Sequence, residues 1–370
     1  MPKIVIITHE QDFLALRHEW NALLDASDSR SPFLKWEWMQ AWWSHLRGSA
    51  ALNLITERAN GRLIAIAPLV LRPRHVAVPP RLEFLGAGKA GADYLDLIVD
   101  RNHEDEATMA VAAALKASQL PMFLDNLPPA SLAADLEAPL TALGWSTIES
   151  SPDVCPIADL GGHTWDTYLA SLGSSHRANV RRRIRGLHAG FDVRFERVST
   201  DAERRAALEA LNLFHEYRFQ GHRGSTAFGD SPLQRFHDDF TRAAQDAGWL
   251  RLFVLSLNGK PAAVMYGFLL DGRFYFYQHG FSADHADHSV GLVLMAMTIQ
   301  AAIEEGAAEF DMLYGHEPYK YLWARSERSL MRLRLFPPHL GGQLLRHQVK
   351  TRTVLRNLVH QFGLRRHEHA

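Results

Sequence analysis

A row of arginines is the first feature of the sequence that could bind an anion. The segment from His176 to His188 has helical periodicity with an apolar stripe. On one flank of that stripe, at i, i+4 spacing, lie Arg177, Arg181 and Arg185. Guanidinium groups in such a row suit the recognition of phosphate or carboxylate groups. The alternative is an ordinary solvated basic face.

The start of another predicted helix is a second candidate anion site. This helix runs from Ser289 to Glu305, with Ser289 as its N-cap and Gly306 at its end. The unpaired N–H groups and the positive dipole end of a helix start attract anions. We therefore expect Ser289, Val290 and Gly291 to contact phosphate groups of a ligand. The alternative is plain capping of a core helix.

Two aspartates in the first half are candidates for proton transfer. Asp93 lies at the mouth of a predicted strand, Tyr94–Val99, and Asp96 lies three residues along the chain. Strand alternation puts the two side chains on opposite faces, so they cannot form a matched acid and base pair. One of them could accept a proton from an amine or hydroxyl. The alternative is turn capping and strand-edge hydrogen bonding.

Three further residues are candidates for lining a ligand cleft. Tyr277 and His279 share one face of the predicted strand Arg273–Phe281, and burial in the core would suit them equally well. Arg218, on the predicted helix Asp201–Phe219, could face a second substrate. Helical periodicity alone leaves its direction open.

The elements that must position these residues are clearest in the second half. Asn-Gly and Asp-Gly turns separate three strand-like runs, which predicts an antiparallel meander over residues 249–257, 262–270 and 273–281. The helix from Ser289 follows, and then a strand, Ala308–Leu313. The first half contains helices, a hairpin, a strand and a helix in a similar order.

The predicted fold class is therefore α+β (mixed α/β). A stretch with prolines and glycines, Ser151–Gly162, predicts the crossover between two domains. We expect the domains to comprise residues 1–155 and 156–340, each a mixed, largely antiparallel sheet flanked by helices. A basic helical tail, residues 341–370, would follow.

The composition excludes several classes of protein. The 370 residues are 47% hydrophobic and 22% charged, as in a globular protein of two domains. The net charge of −1 disfavours a non-specific DNA binder. Cys155 is the only cysteine, and no histidine pattern typical of a metal site occurs, so we expect no disulfide and no metal. No run of 18 apolar residues is present, and we expect a cytoplasmic protein.

The tail combines basic and apolar residues between Arg346 and His369. This pattern is typical of an amphipathic helix, which would dock on the protein itself or on an anionic membrane surface. Docking on the protein is the simpler interpretation.

Three strings of the sequence resemble one known family. They are RLIAIAPLVLR at Arg62–Arg72, FLGAGKAGADYLDLIV at Phe84–Val99 and GAAEFDMLYGHEPYKYLWA at Gly306–Ala324. These strings look like the CelD-type GNAT acetyltransferases that are named for cellulose biosynthesis, and the similarity extends over Phe33–Ala324. That family is related to the Fem peptidyltransferases, which have two GNAT-like domains and use aminoacyl-tRNA.

The resemblance implies acyl transfer and two GNAT-like domains. It also implies a role for Lys320, which matches the position at which Fem enzymes carry a lysine near the acyl donor. An ammonium there would stabilise a developing oxyanion or a donor phosphate, with Tyr319 as a neighbouring contact; the alternative is a solvated lysine lying over aromatic rings. Ordinary acetyltransferases carry a phosphate loop with two glycines or a glycine and an alanine, whereas residues 285–291 contain one glycine.

The donor implied by the resemblance is acetyl-CoA, used as a co-substrate. The implied acceptor is an amine or hydroxyl of a sugar, a polysaccharide precursor or a small metabolite. Two other interpretations stay open. One is Fem-like aminoacyl transfer from tRNA. The other is a non-catalytic accessory protein of exopolysaccharide or cellulose synthesis.

Overall fold

The computed structural model describes residues 3–74, 78–219 and 231–365. The strands are β1 (Lys3–Ile7), β2 (Ala51–Leu52), β3 (Leu54–Ala59), β4 (Arg62–Ala67), β5 (Leu69–Arg72), β6 (Arg81–Phe84), β7 (Ile98–Val99), β8 (Met122–Leu127), β9 (Ser146–Asp159), β10 (Val193–Arg197), β11 (Leu250–Leu257), β12 (Lys260–Leu270), β13 (Arg273–Phe281), β14 (Glu309–Asp311) and β15 (Ser326–Phe336). The helices are α1 (Glu10–Ala15), α2 (Arg17–Ala26), α3 (Trp36–Leu46), α4 (Glu104–Ser118), α5 (Leu132–Asp135), α6 (Glu137–Ala142), α7 (Trp165–Ser171), α8 (Ser174–Gly190), α9 (Asp201–Phe219), α10 (Ser231–Asp246), α11 (Val290–Glu304) and α12 (Leu340–Arg365).

The strands form two sheets. The smaller sheet has the order β1-β3-β4-β7, and the larger has the order β10-β11-β12-β13-β14-β9-β15-β8-β6-β5-β2. Most neighbours are antiparallel, but β6 pairs with β8 and β13 pairs with β14 in parallel. Helix α4 precedes β8 and helix α11 precedes β14, so the same strand, helix and parallel strand sequence occurs in each half. The α+β prediction with two related GNAT-like halves is confirmed.

The two halves share one continuous sheet through β9 and β15. These long strands pair from Ser326 opposite Ile157 to Phe336 opposite Ser146. The end of β9 pairs with β14 of the second half, and β15 pairs with β8 of the first half. The division at residue 155 stays a prediction, and it would fall inside β9.

The prediction of a crossover segment over Ser151–Gly162 was wrong, because most of it lies in β9. The prolines of this segment had indicated a loop. Pro156 lies opposite Glu327 of β15, and pairing with β14 begins only at Ile157. Proline is tolerated here because its missing N–H lies at the end of the β14 ladder, where the Pro156 carbonyl still accepts from the Met312 N–H at 2.9 Å.

Two other predictions about strands have different outcomes. The expected strand at Tyr94–Val99 is only two residues long, Ile98–Val99, and the preceding segment is irregular because Tyr94 has a φ of 57°. The strand-like run after the Asn60-Gly61 turn is divided at Pro68, which separates β4 in the small sheet from β5 in the large one.

An aromatic cluster joins the halves on one side of the large sheet. Trp38 of α3 is fully buried, and its ring packs edge-on against Phe33, Phe236 and Phe240 at centroid distances of 4.8 to 4.9 Å. Its indole N–H donates to the carbonyl of Gly86 at 3.2 Å. Phe236 and Phe240 belong to α10, so a helix of the second half completes the core of the first.

The basic tail begins as helix α12. Its backbone is described as far as Arg365 and its side chains as far as Arg352. The predicted apolar residues from Val354 onward have side chains outside the described part of the chain. Among the described residues, no helix is long and apolar enough to cross a bilayer.

We expect Trp38→Ala to lower the free energy of unfolding by about 3–5 kcal/mol, because it leaves a cavity between the halves and removes the hydrogen-bond donor to the Gly86 carbonyl. Denaturant unfolding followed by circular dichroism measures this loss. The control is Met109→Ala on α4, whose side chain is 60% exposed; its effect should stay within about 0.5 kcal/mol. Equal losses in both variants would contradict a central role for the cluster.

Candidate active site

A cavity opens where β13 and β14 separate. The two strands pair in parallel only from Arg273 opposite Glu309 to Tyr275 opposite Asp311. Just beyond, the β12–β13 register shifts, because Tyr266 pairs with Gln278 whereas Gly267 pairs with Phe276. The extra residue is Tyr277, and such a bulge bends the strand and increases its twist.

Gly267 is required at this bulge. A Cβ atom there would lie 2.6 Å from the carbonyl oxygen of Tyr275 and 2.7 Å from the ring of Phe274. Because a backbone oxygen cannot move away cheaply, only glycine allows the close approach that starts the divergence.

The cavity has a volume of about 410 Å³ and lies between the two halves. Its lining comes from both of them: Gly91, Asp93, Asn126, His215, Phe276, Tyr277, Gln278, His279, Met312, Leu313, Tyr314, Glu317, Tyr319 and Lys320. Five of the predicted site residues are therefore brought together here, namely Asp93, Tyr277, His279, Tyr319 and Lys320.

Asp93 is the buried carboxylate of the cavity, with an exposed fraction of 2%. One oxygen accepts a hydrogen bond from the Asn126 amide at 2.9 Å, and the other accepts from the Tyr314 backbone N–H at 2.9 Å. Burial raises the pKa of Asp93 to about 7, while the Tyr314 N–H and the Lys320 charge act in the opposite direction. A carboxyl that titrates near neutral pH can take up a proton and release it again.

Lys320 lines the same cavity as Asp93 and has an exposed fraction of 3%. Its ammonium donates to the carbonyls of Leu313 and Tyr314 at 3.2 and 2.6 Å, and it pairs with the Glu317 carboxylate at 3.0 Å. Three acceptors match the three N–H groups of an ammonium. Glu317 is the replaceable partner, because its side chain is 53% exposed whereas the carbonyls belong to the loop after β14.

The predicted aromatic residues line the cavity in different ways. The Tyr277 hydroxyl donates to the carbonyl of Ala90 in the first half, and its ring contacts Trp38. His279 and Tyr319 meet across the gap between the diverging strands at a centroid distance of 5.7 Å. Tyr277 thus faces the joint between the halves, whereas His279 and Tyr319 close one side of the cavity.

Asp96 lies outside the cavity lining. Its carboxylate accepts hydrogen bonds from the Ser29 hydroxyl and from the backbone amides of Leu97, Leu132 and Ala133. Burial raises its pKa to about 6, while these donors lower it. The capping alternative describes this arrangement, since the two later amides lie at the start of α5.

The start of α11 differs from the expected N-cap. Ser289 has a left-handed backbone with a φ of 56°, and its side chain makes no capping hydrogen bond. The predicted side-chain cap was therefore wrong, because a left-handed residue does not direct its hydroxyl at the first-turn amides as an extended N-cap residue does. Within the described residues, the amides of Val290 and Gly291 have no hydrogen-bond partner, as is usual for a first turn.

A series of contacts connects this helix start to the cavity. A Cβ atom on Gly291 would lie 3.1 Å from the ring of Phe281. Phe281 in turn stacks on His279 at 6.4 Å, and His279 contacts Tyr319. The helix start and Lys320 therefore lie at two ends of one continuous side-chain surface.

The arginine row faces away from the cavity. Arg177 donates to the Ala170 carbonyl at 2.8 Å, Arg181 lies 3.9 Å from Asp166, and Arg185 is exposed. The neighbouring Arg183 instead reaches the carbonyl of Asp287 just before α11. The side chain of Arg218 lies outside the described residues.

A second cavity of about 870 Å³ lies on the far side of the turn that carries Lys320. Arg182 and Arg325 line it together with Tyr321 and the first turn of α8, and its lining contains no acidic residue. None of the three arginines of the predicted row lines this cavity, and Arg182 lies off their i, i+4 spacing.

Sequence reasoning missed Asn126 and Glu317, which hold Asp93 and Lys320. The signal for Glu317 was its i, i+3 spacing from Lys320, whereas Asn126 had none, since it lies 33 residues from Asp93. Asn126 has a φ of 57°, a conformation in which asparagine is enriched. No cluster of His, Cys, Asp and Glu side chains within the described ranges could hold a metal ion.

Comparison with known proteins agrees with this geometry. Residues 174–321 match a family model described as Acetyltransferase (GNAT) domain. We found no match among curated protein sequences.

Several solved structures have a similar fold. FemX has a TM-score of 0.61 at 13% identity, covering 94% of this chain and 99% of FemX. The L-PGS of Bacillus licheniformis has a TM-score of 0.53 at 14% identity, covering 92% and 96%. The C-terminal domain of a putative lysylphosphatidylglycerol synthetase from Agrobacterium fabrum has a TM-score of 0.55 at 10% identity, with the same coverage.

At these identities the similarity of structure establishes the fold alone. The sequence match to the GNAT domain model covers residues 174–321, and the chain has a GNAT acyltransferase fold.

The raised pKa of Asp93 predicts a pH-dependent stability. Between pH 4 and 7 the folded state retains a proton that the unfolded chain has released, so this group's contribution to the free energy of unfolding decreases as pH rises. In Asp93→Asn we expect the free energy of unfolding to depend less on pH. The variant should be less stable than the wild type at pH 5, and the difference between the two should be smaller at pH 8. Urea unfolding at both pH values measures the effect, and parallel pH profiles would contradict it.

Proposed function

We propose that this chain is an acyltransferase that acetylates an amine or hydroxyl group, with acetyl-CoA as the donor. The observation that supports this best is the cavity between β13 and β14, which both Asp93 and Lys320 line.

Asp93 is the proton acceptor in this proposal. The amine nitrogen bonds to the acyl carbon and loses a proton to the carboxylate, while the C–S bond of the thioester breaks and the thiolate of CoA takes up a proton from the same carboxyl. A group with a pKa near ambient pH performs both transfers best. The hydrogen bonds from Asn126 and Tyr314 fix the carboxylate in one orientation. Both its donors are neutral, so the carboxyl can exist in either protonation state.

Lys320 stabilises the negative charge that develops on the acyl oxygen. Its bonds to the carbonyls of Leu313 and Tyr314 hold the ammonium in place before the reaction, which removes the cost of orienting it later. The third N–H of the ammonium pairs with the Glu317 carboxylate, which the acyl oxygen of the substrate would displace. Glu317 thus holds the position at which the acyl oxygen would bind.

The donor phosphates would contact the start of α11. The free amides of Val290 and Gly291 are suited to an anion, and Arg183 adds a positive charge beside Asp287. The acceptor would occupy the 410 Å³ cavity, whose two carboxylates, Asp93 and Glu317, favour an amine, such as that of an amino sugar or a polysaccharide precursor.

A second candidate is aminoacyl transfer from tRNA. The specific observation in its favour is the 870 Å³ cavity lined by Arg182, Arg325 and the residues Tyr321 and Leu322 that follow Lys320, which could hold a larger phosphate-bearing donor. FemX shares the fold across the whole chain, but that likeness does not transfer its substrate.

A comparison of donors tests the proposal. We expect acetyl-CoA to raise the melting temperature, and a panel of amino sugars and small amines to release free CoA thiol in the presence of the protein. Stabilisation by an aminoacyl-tRNA analogue without any effect of acetyl-CoA would support the second candidate. If neither donor binds, the proposal of an acyltransferase fails and the accessory role remains.

We expect Lys320→Ala to lower kcat by about 10²- to 10³-fold with little change in the KM for the donor, because the lost interaction acts mainly on the transition state. Lys320→Arg should recover only part of this loss, since a planar fork replaces a compact ammonium. Glu317→Gln is the control, because it removes the competing charge while keeping the shape. Near wild-type turnover of Lys320→Ala would contradict the role.

We expect Gly291→Pro to weaken donor binding by about 10- to 100-fold, because it removes one N–H that contacts an anion. Calorimetry with CoA measures the change. Gly291→Ala is the matched control, since it retains the N–H and introduces only the contact with Phe281. An unchanged affinity in Gly291→Pro would place the donor phosphates elsewhere.

A further inference from the structure

Helix α12 has a composition unlike the rest of the chain. From Leu340 to Arg365 it contains four arginines, one lysine and no acidic residue, whereas the whole chain has a net charge of −1. The remainder of the protein is therefore slightly acidic, and positive charge is concentrated on this helix. Such a separation of charge produces a local attraction to anionic partners.

The beginning of α12 is fixed to the body of the protein on one side. Leu345 is buried, with an exposed fraction of 5%. Gln343 accepts a hydrogen bond from the Ser146 hydroxyl of β9 at 3.2 Å and donates to the Pro337 carbonyl at 3.1 Å. These contacts determine which face of the first turns is directed outward.

The outward face is apolar. Leu340 is 84% exposed and Leu344 is 64% exposed, the two highest values among the large apolar side chains that the structure describes. They lie four residues apart and so on the same side of the helix. The sequence has apolar residues again in the same helical register at Leu355, Leu358 and Phe362, whose side chains are outside the described part.

Basic residues lie beside this face. Lys350 and Arg352 are exposed, and each is offset from the Leu340–Leu344 line to a different side. A helix with an apolar stripe between cationic flanks matches the interface of a bilayer, in which acyl chains meet anionic headgroups.

We propose that α12 attaches the protein peripherally to an anionic membrane surface, with Leu340 and Leu344 entering the interface and Lys350 and Arg352 contacting lipid headgroups. RNA is a poorer match, because phosphate contacts require the cations but leave the exposed leucines in water. A second copy is also a poorer match, since two such helices would bring like charges together. The cavity between β13 and β14 plays no part in this inference.

The experiment is co-sedimentation of the full chain with vesicles. We expect binding to vesicles of phosphatidylcholine with 30% phosphatidylglycerol, about tenfold weaker binding to pure phosphatidylcholine, and a decrease at about 0.5 M salt, where the Debye length falls to about 4 Å. No partitioning into the anionic vesicles would overturn the proposal.

Two double variants test separately the apolar and the basic contacts of α12 with the membrane. Leu340→Glu with Leu344→Glu should reduce partitioning by about tenfold or more, because two apolar insertions are lost. Lys350→Gln with Arg352→Gln should reduce binding to anionic vesicles and leave binding to neutral ones unchanged. Met109→Glu is the control, since that side chain is also exposed but lies on α4. All of these side chains are exposed, so the melting temperatures should remain unchanged.

Two results would replace the membrane with another partner. If the leucine pair has no effect on partitioning while single-stranded RNA competes with the vesicles, the helix binds nucleic acid. If the leucine pair converts a dimer to a monomer in sedimentation without lipid, the apolar face is an interface between copies. Either result would overturn the proposal.

Discussion

The carboxylate of Asp311, at the end of β14, connects the segments on which the cavity depends. It is fully buried, and it accepts hydrogen bonds from the Tyr94 hydroxyl and from the Arg328 guanidinium, both at 2.8 Å. Tyr94 belongs to the first half and Arg328 to β15. A second oxygen accepts from the backbone N–H of Leu313, which has a left-handed φ of 53°. One side chain thus joins the halves and fixes the turn where β14 leaves β13.

This arrangement explains why several buried charges occur together. Burial raises the pKa of Asp311 to about 6 and that of Asp93 to about 7, and the Asp311 charge contributes to the rise at Asp93. Burial also raises the pKa of the Cys155 thiol, which is therefore neutral. Isolated buried charges are costly, so such groups persist where hydrogen bonds and opposite charges compensate for lost hydration. Arg328 and Lys320 provide that compensation on the two sides of the loop.

The loop after β14 carries the chemistry in the proposed mechanism, although it contains almost no regular structure. The Tyr314 N–H binds Asp93 while the Leu313 and Tyr314 carbonyls bind Lys320. The same short backbone segment therefore positions the proposed base and the proposed charge stabiliser relative to each other. A rigid sheet on either side, continuous through β9 and β15, supplies the support that a catalytic loop needs.

The pattern of the sequence by itself determined the meander, the helix α11 and the strand after it, because local turn signals and periodicity are sufficient for antiparallel neighbours close in the chain. The pattern also indicated Asp93, Tyr277 and His279 as site candidates, whereas Lys320 was implied by the family resemblance. The prolines predicted a loop where β9 lies, because local sequence does not show that Pro156 is at the end of the β14 ladder. The predicted arginine row was correct as a helix face, but periodicity does not tell which face meets a cavity.

Only the tertiary structure decided which of these residues meet. Asp93 and Lys320 are separated by 227 positions in the chain, and they line one cavity because β9 and β15 bring the two halves into one sheet. Asp96, three residues from Asp93, instead binds the backbone amides of Leu132 and Ala133, which only the fold brings to it. Local sequence fixes the conformational preferences of each segment, whereas non-local pairing and burial determine which side chains share one cavity and how strongly their charges interact.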